Sequence, residues 1–226
     1  MAESELALIV GAGSGLSGSL ARLCAGAGMR VALAARNIEK LKVFQDASLH
    51  PCDASDASEV KRLFESIDTP DLVVYNASYR ARGPFIGLDA QEVSRTLQVT
   101  AYGGFLVAQA AAKRMLERGR GSLFFTGASA SVKGYAESAP FAMGKFALRG
   151  LAQSLARELG PKNIHVAHFV IDGGILKKGG DARAAGRGED GMLDPDAVAQ
   201  TYLDVYRQHR SAWAFEIDLR PWVEKF

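Results

Sequence analysis

The sequence predicts an α/β domain in which one parallel sheet is covered by helices on both faces. Three observations indicate this class. Short apolar runs alternate with longer helical stretches along the chain, which is the order that βαβ units produce. The apolar runs are hydrophobic at nearly every position, as strands buried on both faces are. With 226 residues, 48% of them hydrophobic, the chain can form one sizeable core, and we expect a single domain over residues 1–226.

The first half of the chain predicts four strands and three helices. Leu6–Val10 is an apolar run followed by glycines, which predicts a buried strand that ends in a turn. Leu16–Gly26 follows as a helix that ends at glycine, and Arg30–Ala35 is the second strand. Asn37 is a good N-cap residue for a helix as far as about Gln45. The other elements of this half are a short strand at 48–50, a helix at 55–67 with one apolar face, and a strand at 71–75.

The second half continues the alternation and adds three strands. One long helical region is predicted at 89–118, followed by a strand at Gly121–Thr126. A helix at 141–159 stops at Gly160 and Pro161, and a strand follows at 164–170. Pro195 suits the first turn of a helix over 195–208. The alternating residues 213–219 predict the last of seven strands, which together form a doubly wound sheet.

One segment interrupts this alternation. Residues 177–192 contain five glycines and seven charged residues, so they can bury little apolar surface. We expect a mobile lid or loop there. The alternative is a disordered surface insertion.

Composition excludes several classes of partner. The net charge of +2, from 27 basic and 25 acidic residues, gives no reason to expect nucleic acid or an anionic membrane. No apolar run approaches the roughly 20 residues that span a bilayer, and the acidic N-terminus does not resemble a signal peptide. We therefore expect a cytoplasmic protein. Cys24 and Cys52 are expected to be buried thiols, since two cysteines do not make a disulfide framework.

The glycine cluster after the first strand indicates a phosphate-binding turn. Gly11, Gly13 and Gly15 let the backbone approach a pyrophosphate, and the helix that begins at Leu16 offers free amides and a positive dipole end. Ser14 lies within the same turn. The placement between strand and helix predicts a dinucleotide cofactor. A tight turn without any ligand is the alternative.

Arg36 indicates which dinucleotide is preferred. Proteins that prefer NAD(H) usually place a carboxylate at the end of the second strand to bind the ribose 2′-hydroxyl. Here Ala35 occupies that place and Arg36 follows it. Because a guanidinium can bind a 2′-phosphate, we expect NADP(H) rather than NAD(H). The alternative is an ordinary surface arginine.

Residues 5–175 resemble the short-chain dehydrogenase/reductase family. The similar motifs are the glycine turn, Cys52-Asp53, Asn76-Ala77-Ser78, the Lys145 helix, and Asp172-Gly173-Gly174-Ile175. Ser17 and Asp172 depart from the family's glycine and proline. The resemblance implies a Rossmann fold and assigns further cofactor contacts. It places Asp53 at the adenine, Asn76 beside the cofactor, Lys145 at the nicotinamide ribose, and Gly173 and Ile175 at the carboxamide.

The same resemblance implies an altered catalytic site. The family uses Asn, Ser, Tyr and Lys, and by register these positions hold Thr100, Ala128, Phe141 and Lys145. A phenyl ring has no proton to donate, so the family's Ser-Tyr-Lys mechanism is not expected here. Lys145 can still bind the cofactor, because that role needs only an ammonium.

Five other side chains are candidates to replace the missing groups: Ser129, Ser131, Tyr135, Tyr102 and Asp172. Each also has an ordinary structural explanation as a turn, loop or packing residue. No metal site is expected, and none of the four histidines is expected to act as a catalytic base.

Two functions follow from these residues. The first is an NADP(H)-dependent oxidoreductase that acts on a small carbonyl or alcohol with an altered proton donor. The second is an NADP(H)-binding protein without turnover, which is a sensor or a structural subunit. The family often pairs the two long helices between subunits, so a homodimer or homotetramer is expected. Coverage of the sheet explains the apolar stripes of those helices equally well.

Overall fold

The fold is one seven-stranded parallel sheet with helices on both faces. A computed structural model describes residues 4–177 and 179–224. The strands are β1 (Leu6–Val10), β2 (Arg30–Ala35), β3 (Ala47–Pro51), β4 (Leu72–Tyr75), β5 (Gly121–Thr126), β6 (Ile164–Ile171) and β7 (Glu216–Leu219). Their order is β3-β2-β1-β4-β5-β6-β7, with every pair parallel. This confirms the predicted Rossmann-type architecture and places the reversal of strand order between β1 and β4.

Six α-helices in the described residues cover the sheet: α1 (Leu16–Gly26), α2 (Ala57–Glu65), α3 (Ala90–Leu97), α4 (Gly103–Arg118), α5 (Ala139–Leu159) and α6 (Pro195–Tyr206). Alternate residues of each strand enter opposite cores. Leu8 packs in the core beneath α2, α4 and α5, whereas Ile9 packs in the core beneath α1 and α6. The five central strands are therefore buried on both faces, which explains their uninterrupted apolar sequences, whereas the edge strands β3 and β7 are only partly buried.

The apolar stripes of α4 and α5 lie against the sheet. Ala111 and Leu148 are fully buried there, and Leu151 and Leu155 are partly buried against the same core. Coverage of the sheet thus accounts for the residues that suggested pairing between subunits. The homodimer or homotetramer stays a prediction.

The predicted helix over residues 37–45 is wrong. The segment forms one 3₁₀ turn at Glu39–Leu41, and Asn37 Oδ1 accepts a hydrogen bond from the Glu39 amide at 3.0 Å. Leu41 is fully buried, and the ring of Phe44 packs close to Gly18 of α1. These tertiary contacts outweigh a local capping signal, which is a weak determinant on its own.

Two other elements differ from expectation. The last strand begins at Glu216 rather than at residue 213, because Trp213 stacks on the His165 ring with a centroid distance of 4.6 Å. The long helical region at 89–118 contains a π-helical turn, Gln98–Tyr102, between α3 and α4. Such turns often occur at functional sites.

The glycine-rich segment, residues 177–192, follows β6, and backbone hydrogen bonds join the residues just before it to Leu193, just after it. The Leu193 amide donates to Gly174 O at 2.9 Å, and the Leu176 amide donates to Leu193 O at 2.8 Å. Between them the described residues form a 3₁₀ turn at Ala182–Ala184. Lys178 lies outside the described residues, and a lid at 177–192 stays a prediction.

The two cysteines and the apolar length of the helices were also predicted from the sequence. Cys24 and Cys52 are buried free thiols, as predicted. No helix in the part of the chain that the structure describes is long and apolar enough to cross a bilayer.

Candidate active site

The loops after the strands enclose a cleft at the carboxyl edge of the sheet. It has two parts, a larger cavity of about 820 Å³ and a smaller cavity of about 280 Å³, and Asn76 and Ser78 line both. The cleft lies where the strand order reverses between β1 and β4. Open α/β sheets bind their ligands at this position.

The structure brings most of the predicted site residues to this cleft. Those that line the larger cavity are Asn76, Ala128, Phe141, Lys145, Gly173 and Ile175. Those that line the smaller cavity are Gly11, Arg36, Asp53 and Asn76. Five predicted residues line neither cavity: Gly13, Ser14, Gly15, Leu16 and Thr100.

The glycine turn leaves the N-terminus of α1 open. Gly11 has φ +82°, and a Cβ added there would lie 2.3 Å from the Ala77 amide nitrogen, so the two loops touch. A Cβ on Gly13 or Gly15 would meet no described atom within 4 Å. Within the described chain, no side chain caps α1 and its first turn holds no acidic residue. This arrangement fits an anionic group held by the backbone amides.

A hydrogen bond joins this turn to the middle of the cleft. Asn76 Nδ2 donates to Ser17 Oγ at 2.8 Å, and the Ser17 hydroxyl lies 3.4 Å from Gly11 O. Ser17 occupies the place where the family pattern has its third glycine. Its hydroxyl therefore supports the turn rather than obstructing it.

The smaller cavity has basic and acidic sides. Arg36 and Lys40 line it from the loop after β2, and Asp53 lines it from the loop after β3. Burial acts to raise the pKa of Asp53, but two hydrogen bonds from Ser55 and the charge of Arg36 outweigh it and bring the pKa below its ordinary value. Ala35 ends β2, so no carboxylate is present at the strand end itself.

Lys145 is buried at the floor of the larger cavity. It lies on α5, its side chain is 3% exposed, and its Nζ donates to Thr126 O at 2.6 Å. Burial, followed by the nearby charge of Arg80, lowers the pKa of Lys145 to about 7. An amine with such a pKa can hold or release a proton near neutral pH.

The structure also locates the three residues that the resemblance assigns to the family's other catalytic positions, namely Phe141, Ala128 and Thr100. Phe141 is buried beneath Arg80, whose guanidinium carbon lies 4.3 Å from the ring centroid. The Ala128 amide donates to Ser131 Oγ at 3.0 Å. Thr100 is fully buried, and its hydroxyl accepts from the Tyr79 amide at 3.2 Å. Thr100 thus holds the loop after β4 instead of lining the cleft.

Of the five candidate replacements, three line the larger cavity, namely Ser129, Tyr135 and Asp172. Asp172 is buried and lies 3.6 Å from Lys133 Nζ and 3.8 Å from Arg220 Nη2, measured to its Oδ2. Ser131 lies outside the cavity wall and bonds the Ala128 amide. Tyr102 is also outside it and stacks on Phe105.

Sequence reasoning found Arg36 and Lys145 but missed the other basic residues of the cleft. Besides Lys40, these are the arginines of the larger cavity: Arg80, Arg82, Arg183 and Arg187. The first two come from the loop directly after Asn76, and the last two come from the glycine-rich segment. An Arg-x-Arg pair four residues after a strand-end asparagine is a signal that could have found the first two.

His168 lies beneath this site and connects three elements. Its Nδ1 lies 3.0 Å from Glu216 Oε2 of β7, and Arg149 of α5 binds both oxygens of that carboxylate at 2.6 and 2.7 Å. Its Nε2 is so close to Gly127 that a Cβ there would lie 2.3 Å away. Burial lowers the pKa of His168 to about 4 despite the neighbouring carboxylate.

This pKa predicts a loss of stability in weak acid. Because the folded pKa is below the ordinary value of 6.5, the unfolded chain binds a proton that the folded chain excludes between pH 6.5 and about 4. Stability should fall by about 2 kcal/mol from pH 7 to pH 5 through this residue alone. Urea unfolding of the wild type and of His168→Gln at both pH values measures it. An equal loss in both proteins would contradict the prediction.

Among the residues that the structure describes, no group of three or more histidines, cysteines or carboxylates is arranged to hold a metal ion. The His165 ring packs between Trp213 and Phe124, so it is a packing residue and not a metal ligand.

Comparison with known proteins agrees with this geometry. A short-chain dehydrogenase from Rhodopseudomonas palustris superposes with a TM-score of 0.84, at 31% identity, over 97% of this chain and 100% of that one. D-threitol dehydrogenase from Mycolicibacterium smegmatis is 28% identical over 176 residues, which are 73% of this chain and 68% of that protein. A metagenomic short-chain oxidoreductase in complex with NADP has the same fold, with a TM-score of 0.82 at 24% identity over 96% and 97% of the two chains.

The family model described as short chain dehydrogenase matches residues 5–177. Those residues contain the glycine turn, the loop after β4 and Lys145, together with all but the last of the strands. The chain therefore belongs to the short-chain dehydrogenase family, and it is an oxidoreductase of that type.

Proposed function

We propose that this chain is an NADP(H)-dependent oxidoreductase that acts on a small carbonyl or alcohol and uses a proton donor other than the family tyrosine. The observation that carries the cofactor preference is the loop after β2, where Arg36 and Lys40 line the smaller cavity and Ala35 stands where a carboxylate would bind a free ribose hydroxyl.

The residues present fit such a cofactor. The open N-terminus of α1 would hold the pyrophosphate, with Gly11 allowing close approach. Asp53 and Arg36 would hold the adenosine end, and Asn76 lies between the two cavities. Lys145, Gly173 and Ile175 would hold the nicotinamide end. The bound nicotinamide supplies or accepts the hydride.

Lys145 is proposed to move the proton as well. It lines the larger cavity and its pKa is about 7. The neighbouring Phe141, which the resemblance assigns to the tyrosine position, has no proton to donate. In reduction, the Nζ–H bond breaks while an O–H bond forms on the substrate oxygen. The buried, neutral amine that remains is tolerated because burial already disfavours its charge. Tyr135, at the rim of the cavity, is the second candidate donor.

Arg36→Gln tests the cofactor preference. The substitution removes a charge-assisted contact with a 2′-phosphate, so NADPH should bind about tenfold or more weakly while NADH binding changes little. Titration of NADPH and NADH fluorescence measures both affinities. Arg62→Gln, at an exposed arginine on the outer face of α2, serves as the matched control. Equal weakening of both cofactors would contradict a 2′-phosphate role, and absence of NADPH binding to the wild type would overturn the proposal.

A second function also has structural support. An NADP(H)-binding protein without turnover needs only the residues that would hold the cofactor. The resemblance assigns Thr100, Ala128 and Phe141 to the family's Asn, Ser and Tyr positions, and neither Ala128 nor Phe141 has a hydroxyl group. A panel of small aldehydes and ketones separates the two functions. Consumption of NADPH with any of them supports the enzyme, whereas binding without consumption across the panel supports a sensor or structural subunit.

A further inference from the structure

The larger cavity carries more positive charge than its own carboxylates balance. Four arginines line it, from two separate segments: Arg80, Arg82, Arg183 and Arg187. Three carboxylates share the same wall: Glu137, Asp172 and Glu224.

Two of the arginines already have acidic partners. Arg183 binds Asp181 through Nη2, and Arg187 lies 4.0 Å from Glu224. Asp172 is held by Lys133 and Arg220. Each of these three cavity residues, Arg183, Arg187 and Asp172, therefore has an oppositely charged partner.

Arg80 and Arg82 are different. Among residues 4–177 and 179–224, no carboxylate lies within the 4.0 Å of an ion pair from either guanidinium. They lie near each other and on the same wall, and partial burial and the charge of Arg82 both lower the pKa of Arg80. Both side chains are exposed and solvated in the free protein, and an anion bound in the cavity would offset their mutual repulsion.

Arg80 has one ring contact, and the backbone of its loop is held by hydrogen bonds. Its guanidinium carbon lies 4.3 Å from the centroid of the Phe141 ring, and its charge helps to lower the pKa of Lys145. The loop that carries it is bound to α3 and to the π-helical turn, because the Tyr79 amide donates to Thr100 and the Ala81 amide donates to Thr96 Oγ1 at 3.4 Å. A guanidinium stacked on a ring keeps its fork of N–H donors free for a planar or tetrahedral anion.

The geometry points to a substrate anion as the missing partner. We propose that the oxidoreductase substrate carries a carboxylate or phosphate group, and that Arg80, assisted by Arg82, binds this group while the reacting carbon lies near Lys145. This inference rests on the proposed function. The cofactor's own phosphates do not account for these arginines, since the residues proposed to hold them are in the glycine turn and the smaller cavity.

The test uses the full chain saturated with NADP⁺, so that the cofactor's phosphate sites are filled. Malonate and inorganic phosphate are titrated separately by isothermal calorimetry, with wild type, Arg80→Gln, Arg80→Lys and Arg95→Gln. The last is a matched control: Arg95 also stacks on a ring, that of Tyr79 at 4.4 Å, but it lies outside the cavity and pairs with Glu92. Circular dichroism melting shows whether each variant is folded.

At least one anion should bind, about tenfold or more weakly to Arg80→Gln and unchanged to Arg95→Gln. Arg80→Lys should bind more tightly than Arg80→Gln, since it keeps the charge but loses the fork. Malonate binding alone assigns a carboxylate substrate, and phosphate binding alone assigns a phosphorylated one. The inference is overturned, and the proposed function is not, if NADP⁺ binds but neither anion binds with a Kd below about 10 mM. The same holds if Arg80→Gln binds the anion as tightly as the wild type does. Failure to bind NADP⁺ overturns the proposed function and the inference with it.

Discussion

Replacing Lys145 by methionine should lower the turnover of the wild-type reaction about 10²–10⁴-fold, the usual contribution of general acid–base catalysis. Methionine has nearly the same length and fits an apolar site, so the change removes the amine and its bond to Thr126 O without opening a cavity. NADPH should also bind more weakly, because the ammonium is proposed to hold the nicotinamide ribose. Steady-state kinetics and NADPH fluorescence measure the two effects separately.

The proton-donor role of Lys145 also predicts the direction in which each reaction rate changes with pH. A group that donates a proton acts only while it carries one, so carbonyl reduction should slow as the pH rises through about 7, the pKa of Lys145, and alcohol oxidation should show the opposite limb. Lys162→Met, at an exposed lysine just after α5, is the matched control and should keep wild-type kinetics. Unchanged turnover in Lys145→Met would exclude the proposed role. Activity that arises only in Ala128→Ser with Phe141→Tyr would favour the protein without turnover.

Replacing Gly11 by alanine should destabilise the fold by several kcal/mol and abolish cofactor binding. The backbone at Gly11 has φ +82°, which costs an L-residue about 1–2 kcal/mol. The new Cβ would also lie 2.3 Å from the Ala77 amide nitrogen, and overpacking of this kind adds about 1–3 kcal/mol. The loops after β1 and β4 would have to separate, and this would displace Asn76.

Gly13→Ala is the natural control for this experiment. It lies two residues away in the same turn, its φ is not in the positive region, and a Cβ there meets no described atom within 4 Å. Urea unfolding should give a change of less than about 1 kcal/mol for Gly13→Ala. Equal stability of the two variants would show that contact between the loops does not hold the turn.

The sheet could be predicted from sequence because most of its strands carry a complete local signal. β1, β2, β4, β5 and β6 are short apolar runs bounded by turn residues, and such runs are typical of strands buried on both faces. β3 is a polar edge strand, and its prediction depended on its place between two helical segments. The 37–45 segment could not be predicted, since its shape depends on Leu41 and Phe44 reaching α1. Local capping competes with such contacts and usually loses.

The residues of the smaller cavity could be predicted from the sequence, whereas the arginines of the larger cavity could not. Gly11 and Arg36 directly follow β1 and β2, and Asp53 lies two residues after the end of β3, so the strand assignments alone bring them to one edge. Arg80 and Arg187 reach the larger cavity from loops whose paths no periodicity describes. Thr100 and Tyr102 show the same limit on a helix, because the π-helical turn changes which side chains face the loop after β4.

The strand order also has an evolutionary consequence. The loops after β1, β2 and β3 build the smaller cavity, whereas those after β5 and β6 line only the larger one, and the loop after β4 contributes to both. Substitutions in the glycine-rich segment or beyond Ser78 can therefore alter the lining of the larger cavity while the smaller cavity, where we propose that the adenosine end of the cofactor binds, is unchanged. Divergence among paralogues of this chain should accordingly concentrate in two loops, with gene duplication supplying new specificities on a conserved frame.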